Sequence, residues 1–146
     1  MIELIFVIVV IGILATIALP KFGSTMKSAN ISKGRSDISA VRSAITNARQ
    51  KEIIKGNNSY ISELDNGAAA NTDGETIFDT NGSINLLTYG IITKDAEGHW
   101  VKTGTNTYKY TVDGVGVVFT YDNATGKFTC DRTNQTYGDT CKKLID

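Results

Sequence analysis

Few side chains in this 146-residue chain combine the type and spacing that chemistry requires. There is a single histidine, His99, and no cysteine–histidine cluster at metal-ligand spacing, no Gly-rich phosphate loop and no nucleophile with an evident base. His99 reads as a surface or strand residue, so no catalytic residue is expected and the chain does not read as an enzyme. Cys130 and Cys141 form an even pair close in sequence, as a disulfide in an oxidising compartment would. A thiol or zinc pair is the alternative, disfavoured because other soft ligands are lacking. Asp113, Asp122, Asp131 and Asp139 could offer oxygen ligands to calcium, but no EF-hand spacing supports it and solvated turns are the simpler reading. No metal or cofactor is expected.

Two further features carry chemistry. Asp79-Thr80-Asn81-Gly82-Ser83 fits the N-glycosylation acceptor and its extended bacterial form, with an acidic residue two places before Asn81. The triplets at Asn30, Asn57, Asn123 and Asn134 lack that acidic residue, and such triplets arise easily in an Asn- and Thr-rich chain. The second feature is Glu3. It sits in the apolar run Met1 to Leu19, which ends at the only proline, Pro20. At about 1.5 Å per residue this run reaches roughly the thickness of a bilayer core. A carboxylate there costs roughly 2.5–3.5 kcal/mol at mid-bilayer, less near an end. Glu3 is either a frayed helix tip that reaches headgroup water or a residue with a partner in another molecule.

Gly12, Thr16 and Pro20 favour the partner, because they fall at i, i+4 and i+8 on one stripe of a helix. Small residues there admit a second helix, and Pro20 cannot donate to the carbonyl of Thr16, so the turn already loosened by Gly12 is weakened further. A bundle-forming, locally fragile membrane helix is predicted.

The segment MIELIFVIVVIGILATIALPKF, residues 1–22, closely resembles the N-terminus of type IV pilins and type II secretion pseudopilins, with glutamate, glycine and proline at that family's mutual spacing. The likeness covers about the first third of the chain if the amphipathic helix beyond is included. It departs in one respect: in the family the glutamate lies two residues further from a methylated, usually phenylalanine, terminus. The resemblance therefore implies that two mature residues and a leader precede Met1. It implies no enzymatic activity but a homopolymer with the apolar helices at its core, and Glu3, Gly12, Thr16 and Pro20 as assembly residues. Glu3 would neutralise the N-terminal amine of a neighbouring subunit. It further implies processing by a prepilin peptidase, residence in a bacterial inner membrane and extraction by an assembly machinery into a cell-surface filament. The alternative is a pseudopilin that forms a periplasmic piston, and outside the family a membrane-anchored binding module that does not polymerise. The major pseudopilins bind calcium in their C-terminal region; no such site is evident in these residues.

Charge agrees with export only if a basic leader exists. Lys21, Lys27, Lys33 and Arg35 all follow the apolar run and nothing basic precedes it, which taken literally would keep the remainder cytoplasmic. The cysteine pair argues the other way, and a secretory signal peptide fits poorly because the run lacks a basic n-region and a small-residue cleavage site. Formal net charge is zero, which gives no argument for nucleic acid as a partner, although a local basic patch remains compatible with it.

The elements that position these residues follow from periodicity. Ile31, Ile38, Val41, Ala44, Ile45 and Ala48 form an apolar stripe, with Lys33, Arg35, Asp37, Arg42, Arg49 and Lys51 on other faces, and the pattern stops at Gly56-Asn57-Asn58. One kinked rod is predicted, two helices at a sharp angle being the alternative. Residues 56–98 read as a long variable connection anchored at Tyr60, Ile61, Leu64, Leu86, Leu87, Tyr89, Ile91 and Ile92, with Asn66 to Gly74 as a surface loop. Strands are predicted at Thr107–Val112, Gly116–Tyr121 and Lys127–Cys130, joined by turns at Asp113-Gly114 and Asn123–Gly126 and extended by His99-Trp100-Val101. The class is α+β: a long N-terminal helix, its first part transmembrane, packed on a small antiparallel sheet. Its divisions are 1–20, a transmembrane and filament-core helix; 21–55, the amphipathic continuation; 56–98, the connection; and 99–146, the sheet with a disulfide-closed C-terminal loop.

Overall fold

The computed structural model describes residues 1–81 and 84–146, the side chains of residues 18–21 and of Asn81 lying outside that description. One helix dominates: α1 (Ile2–Ile54, 53 residues) is about 80 Å long by helical rise. The two helical segments read from sequence are thus one rod. It ends where the pattern stops. Gly56 takes the left-handed conformation (φ 85°), its N–H donating to the Ile53 carbonyl at 2.9 Å and that of Asn57 to the Glu52 carbonyl at 2.9 Å. This satisfies two of the carbonyls that a helix end leaves open.

The apolar stripe of the second half of α1 is buried: Ile38, Val41, Ala44, Ile45 and Ala48 are all core residues. What covers them is a four-stranded antiparallel meander of β5 (Trp100–Gly104), β6 (Thr107–Val112), β7 (Val115–Asp122) and β8 (Lys127–Cys130), in that order across the sheet. Alternation sets its inner face. Tyr108 opposes Phe119, Tyr110 opposes Val117 and Tyr121 opposes Phe128, all of them buried, while intervening residues such as Lys109 are more exposed. The expected extension of the three-stranded meander is its fourth strand, which begins at Trp100 and runs to Gly104, with His99 just outside it.

Two stretches depart from expectation. The connection carries structure of its own: β1 (Thr76–Ile77) pairs with β4 (Ile91–Ile92), and β2 (Thr80–Asn81) with β3 (Ile84–Asn85). Of the expected anchors Ile61 and Leu64 are buried, but Tyr89 and Ile92 face solvent, and Ile77 and Phe78, which the sequence pattern does not mark, are fully buried. Phe78 explains why pattern failed. It adopts φ 58° and inserts its ring among Trp100, Tyr108 and Phe128, at centroid distances of 5.7, 4.6 and 5.7 Å. A left-handed bulky residue costs about 1–3 kcal/mol. Full burial of a phenylalanine returns about 1.5–3 kcal/mol, and each ring pair adds about 0.5–1.5, so burial wins.

The second departure is the C-terminal loop, which contains a helix, α2 (Gly138–Ile145). Its apolar side, Cys141 and Leu144, packs into the same core as α1, and Cys141 is bonded to Cys130 at the end of β8. Gly138 is needed at its start because a Cβ there would lie 2.6 Å from the Arg132 carbonyl oxygen. Closing so short a chain segment stabilises by roughly 3 kcal/mol in the entropic account.

Candidate functional site: the unpacked half of α1

The two halves of α1 have opposite environments. From Ile2 to Met26 the described apolar side chains are exposed, with Leu4, Phe6 and Phe22 each at 69%, whereas Ile38 and Val41 retain 1% and 2%. The N-terminal part of α1 is long and apolar enough to cross a membrane, and none of that stretch is buried within the protein. A contiguous apolar surface of this size marks a membrane or protein interaction site.

Glu3 lies in the first turn of α1, where a carboxylate meets the favourable end of the helix dipole. Among the described residues its side chain has no hydrogen-bond or ion-pair partner. Nine residues on, the position of a Cβ on Gly12 meets nothing within 4 Å, so that face is open to an approaching surface. The Thr16 hydroxyl donates to the Ile13 carbonyl at 2.7 Å, a local bond that keeps its polar atom within the helix. The Pro20 ring and Lys21 lie outside the described side chains. Glu3, Gly12 and Thr16 therefore share the unpacked half, and none of them touches the globular head.

The boundary between the halves is polar. Lys27 pairs with Asp113 in the β6–β7 turn, whose Asp113 and Gly114 amides are capped by the Glu97 carboxylate. Above it, basic residues of α1 donate to backbone carbonyls of the head: Lys33 to Gly98 at 2.6 Å, Arg35 to Lys143 at 2.7 Å and Arg42 to Phe128 at 3.0 Å. Arg49 reaches Asn58 and stacks its guanidinium 4.3 Å over the Tyr60 ring. Placed by periodicity on faces other than the apolar stripe, these cations clamp the head. Asp37 accepts from the Trp100 indole at 3.0 Å; burial pushes its carboxyl above the usual range, partly offset by that bond and by Lys33. Gly34 permits a close approach: a Cβ there would lie 2.6 Å from the Tyr110 ring and 2.8 Å from Leu144. The Tyr110 hydroxyl donates to the Asn30 carbonyl at 2.7 Å.

No protein-family model, curated protein or solved structure matches the chain. What the protein does is therefore argued from its own residues.

The remaining sites named from sequence are dispersed. The Asp122 carboxylate is turned to the Ala124 amide and Thr125 hydroxyl, Asp131 to the Thr133 amide and hydroxyl, and Asp139 pairs with Lys142 at 3.0 Å. These local bonds hold all three carboxyls below the ordinary range, through Thr125, Thr133 and Lys142 first. Among the described residues no group of three or more His, Cys, Asp or Glu is placed to hold a metal. His99 Nδ1 lies 2.8 Å from the Glu97 carbonyl, which fixes a proton on that nitrogen. The glycosylation motif at Asn81 falls outside the described residues at Gly82, Ser83 and the Asn81 side chain. Asn57 and Asn134 spend their amide oxygens on the backbone of Ser59, and of Thr136 and Tyr137.

One cluster had no signal in the sequence. Asp65 is completely buried and accepts four donors: Lys102 Nζ at 2.7 Å, the Tyr108 hydroxyl at 2.6 Å and the amides of Gly67 and Ala68 at 3.0 Å each. Lys102 is on the inner face of β5 beside Tyr108, so it is buried by register rather than by composition. Burial and the adjoining Asp65 carboxylate push the Tyr108 phenol far above its ordinary range. The Lys102 amine is taken up by its contact with Asp65. The cluster ties the connection to the sheet and offers no free nucleophile.

Proposed function

We propose that this chain is a structural subunit of a type IV pilus-like filament and has no catalytic role. It is held in a bacterial inner membrane by Leu4 to Leu19, then assembled with that helix at the core of a helical homopolymer at the cell surface. The observation that carries the reading is the division of α1: one half packed along its apolar stripe, the other apolar, unburied and bearing a carboxylate without a partner among the described residues. A bilayer alone accounts for the apolar surface but penalises Glu3. A polymer accounts for both, because a neighbour's N-terminal amine supplies the counter-charge as the apolar faces bury one another. The pilin-like spacing of Glu3, Gly12 and Pro20 supports the same arrangement, and the processing peptidase and assembly machinery of such systems are the partners it requires.

The test is Glu3→Val in the full chain. The head and anchor are untouched, so membrane insertion and the fluorescence of the buried Trp100 should stay as in the parent, while sheared surface fibres should fall at least tenfold. Electron microscopy of the fibres with mass spectrometry of their subunit reads this directly. Undiminished fibres would make Glu3 a mere helix tip; parent cells with no surface fibres but a periplasmic polymer would mark the pseudopilin alternative, and no polymer at all a membrane-anchored binding module.

A second expected outcome concerns the helix itself. In the filament, α1 should lose regular hydrogen bonding between Gly12 and Pro20, since proline removes one bond and glycine costs about 1 kcal/mol relative to alanine. An assembled structure with unbroken helix through these residues would contradict it.

A further inference from the structure

The zero net charge conceals a segregation. Residues 21–55 hold eight basic residues and only two acidic ones, Asp37 and Glu52, whereas residues 56–98 hold seven acidic residues and one basic one, Lys94. Members of the two populations lie at opposite edges of the sheet, Asp73 and Glu75 beyond β5 and Arg42 beside β8. The connection runs along the outer edge of β5, where the Asn71 amide donates to the Lys102 carbonyl at 2.7 Å and that of Lys94 to the Trp100 carbonyl at 2.8 Å. Asp73 and Glu75 lie there, and among the described residues neither has a basic side chain within ion-pair distance. At the other edge, Arg42 and Lys127 line a groove of ≈ 560 Å³ between α1 and β8, together with Thr46, Thr129 and Gly126.

That groove presents two cations, Arg42 and Lys127. Arg42 is half-buried, spends its Nε–H on the Phe128 carbonyl and has no carboxylate within ion-pair distance among the described residues. Burial lowers its pKa from the ordinary arginine value. Asp122, opposite Lys127 in register, is turned to Ala124 and Thr125. Desolvating a cation without its counter-charge is unfavourable, and a carboxylate delivered from outside removes that penalty.

We propose that the Arg42–Lys127 groove receives the Asp73 and Glu75 carboxylates of a second copy of this chain. Resting on the filament reading, it adds a lateral contact between heads to the helix-mediated one. Complementary patches on opposite edges cannot satisfy each other through a two-fold axis. They join copies head to tail, which propagates into a helix unless the ring closes. Rim charges of this kind set register and the rate of encounter more than bulk affinity.

The test uses fibres of the full chain and the variants Lys127→Glu, Glu75→Lys and the two combined. Both residues lie outside the buried core, and an unchanged Trp100 fluorescence spectrum checks each fold. Each single variant should lower sheared-fibre yield at least tenfold, the combined charge swap should recover at least half of it, and the parent's yield should fall on raising NaCl from 0.05 to 0.5 M, roughly a threefold shorter screening length. Single variants that assemble like the parent overturn the proposal, as does a combined variant no better than either single. Parental assembly of Lys127→Glu with lost binding of a single-stranded oligonucleotide would reassign the groove to nucleic-acid phosphate and overturn it too. If Glu3→Val abolishes fibres while these variants leave yield unchanged, the filament reading stands and this contact falls; a parent without fibres removes both.

Discussion

Glu3 and Asp65 are the two most informative carboxylates of this protein, and they mark two regions governed by different physics. Asp65 is buried in the head with four donors from its own chain; Glu3 stands on an apolar stem with none among the described residues. The same contrast runs along α1. Its second half gives the apolar stripe from Ile38 to Ala48 to the head and most of its cations to carbonyls of the head, while from Ile2 to Met26 the described apolar side chains stay exposed. On the filament proposal such a helix belongs to two assemblies, its own domain and a polymer.

The largest expected effect breaks the head alone. Asp65→Ala leaves Lys102 buried without a counter-charge and orphans the Tyr108 hydroxyl and two amides, so it should destabilise the head by about 3–5 kcal/mol. Urea unfolding followed by Trp100 fluorescence measures this; a loss below 1 kcal/mol would mean the cluster is wetter than its geometry shows. Glu3→Val should leave that same curve unmoved, which sharpens the distinction between a charge used within one molecule and a charge used between molecules.

Two glycines of α1 repeat the comparison at smaller scale. Gly34→Ala drives a methyl into the Tyr110 ring and Leu144 at 2.6 and 2.8 Å, and overpacking of this kind costs about 1–3 kcal/mol. Gly12→Ala meets nothing and gains up to about 1 kcal/mol of helix propensity in the isolated subunit, yet should reduce fibre yield if a neighbouring helix approaches that face. Equal effects of the two substitutions on head stability would erase the boundary drawn at Lys27.

The smallest effect is confined to the head and to high pH. Tyr108, Tyr110 and Tyr121 all have raised phenol pKa values, chiefly from burial, that of Tyr121 reaching about 12. A group whose folded pKa exceeds its unfolded value contributes stability that is present below the unfolded pKa and lost as pH climbs through the folded one. The phenols' contribution to head stability should therefore be flat below about pH 10 and decline above it, with the three phenols ionising together on unfolding. Absorbance at the tyrosinate band against pH reads the transition; smooth titration of all tyrosines near their ordinary value would contradict it.

The sequence by itself determined whatever depends on local periodicity or on one residue's conformational limits. The apolar run, the stripe from Ile38 to Ala48, the stop at Gly56 and the strands Thr107–Val112 and Lys127–Cys130 were legible, because burial on one face imposes a period and a turn demands particular residues. Tertiary structure alone decided the rest. α2 is one turn of apolar spacing hidden in a polar tail, too short to be helical without the disulfide and the core beneath Leu144. Phe78 tolerates a left-handed backbone only because three rings surround it, and Lys102 is buried only because register points it at an aspartate 37 residues away. The basic residues of α1 lie on faces other than the apolar stripe, and only folding brings carbonyls within their reach. Interactions between residues distant along the chain have no local signature, so they are settled only when the sheet closes over the helix.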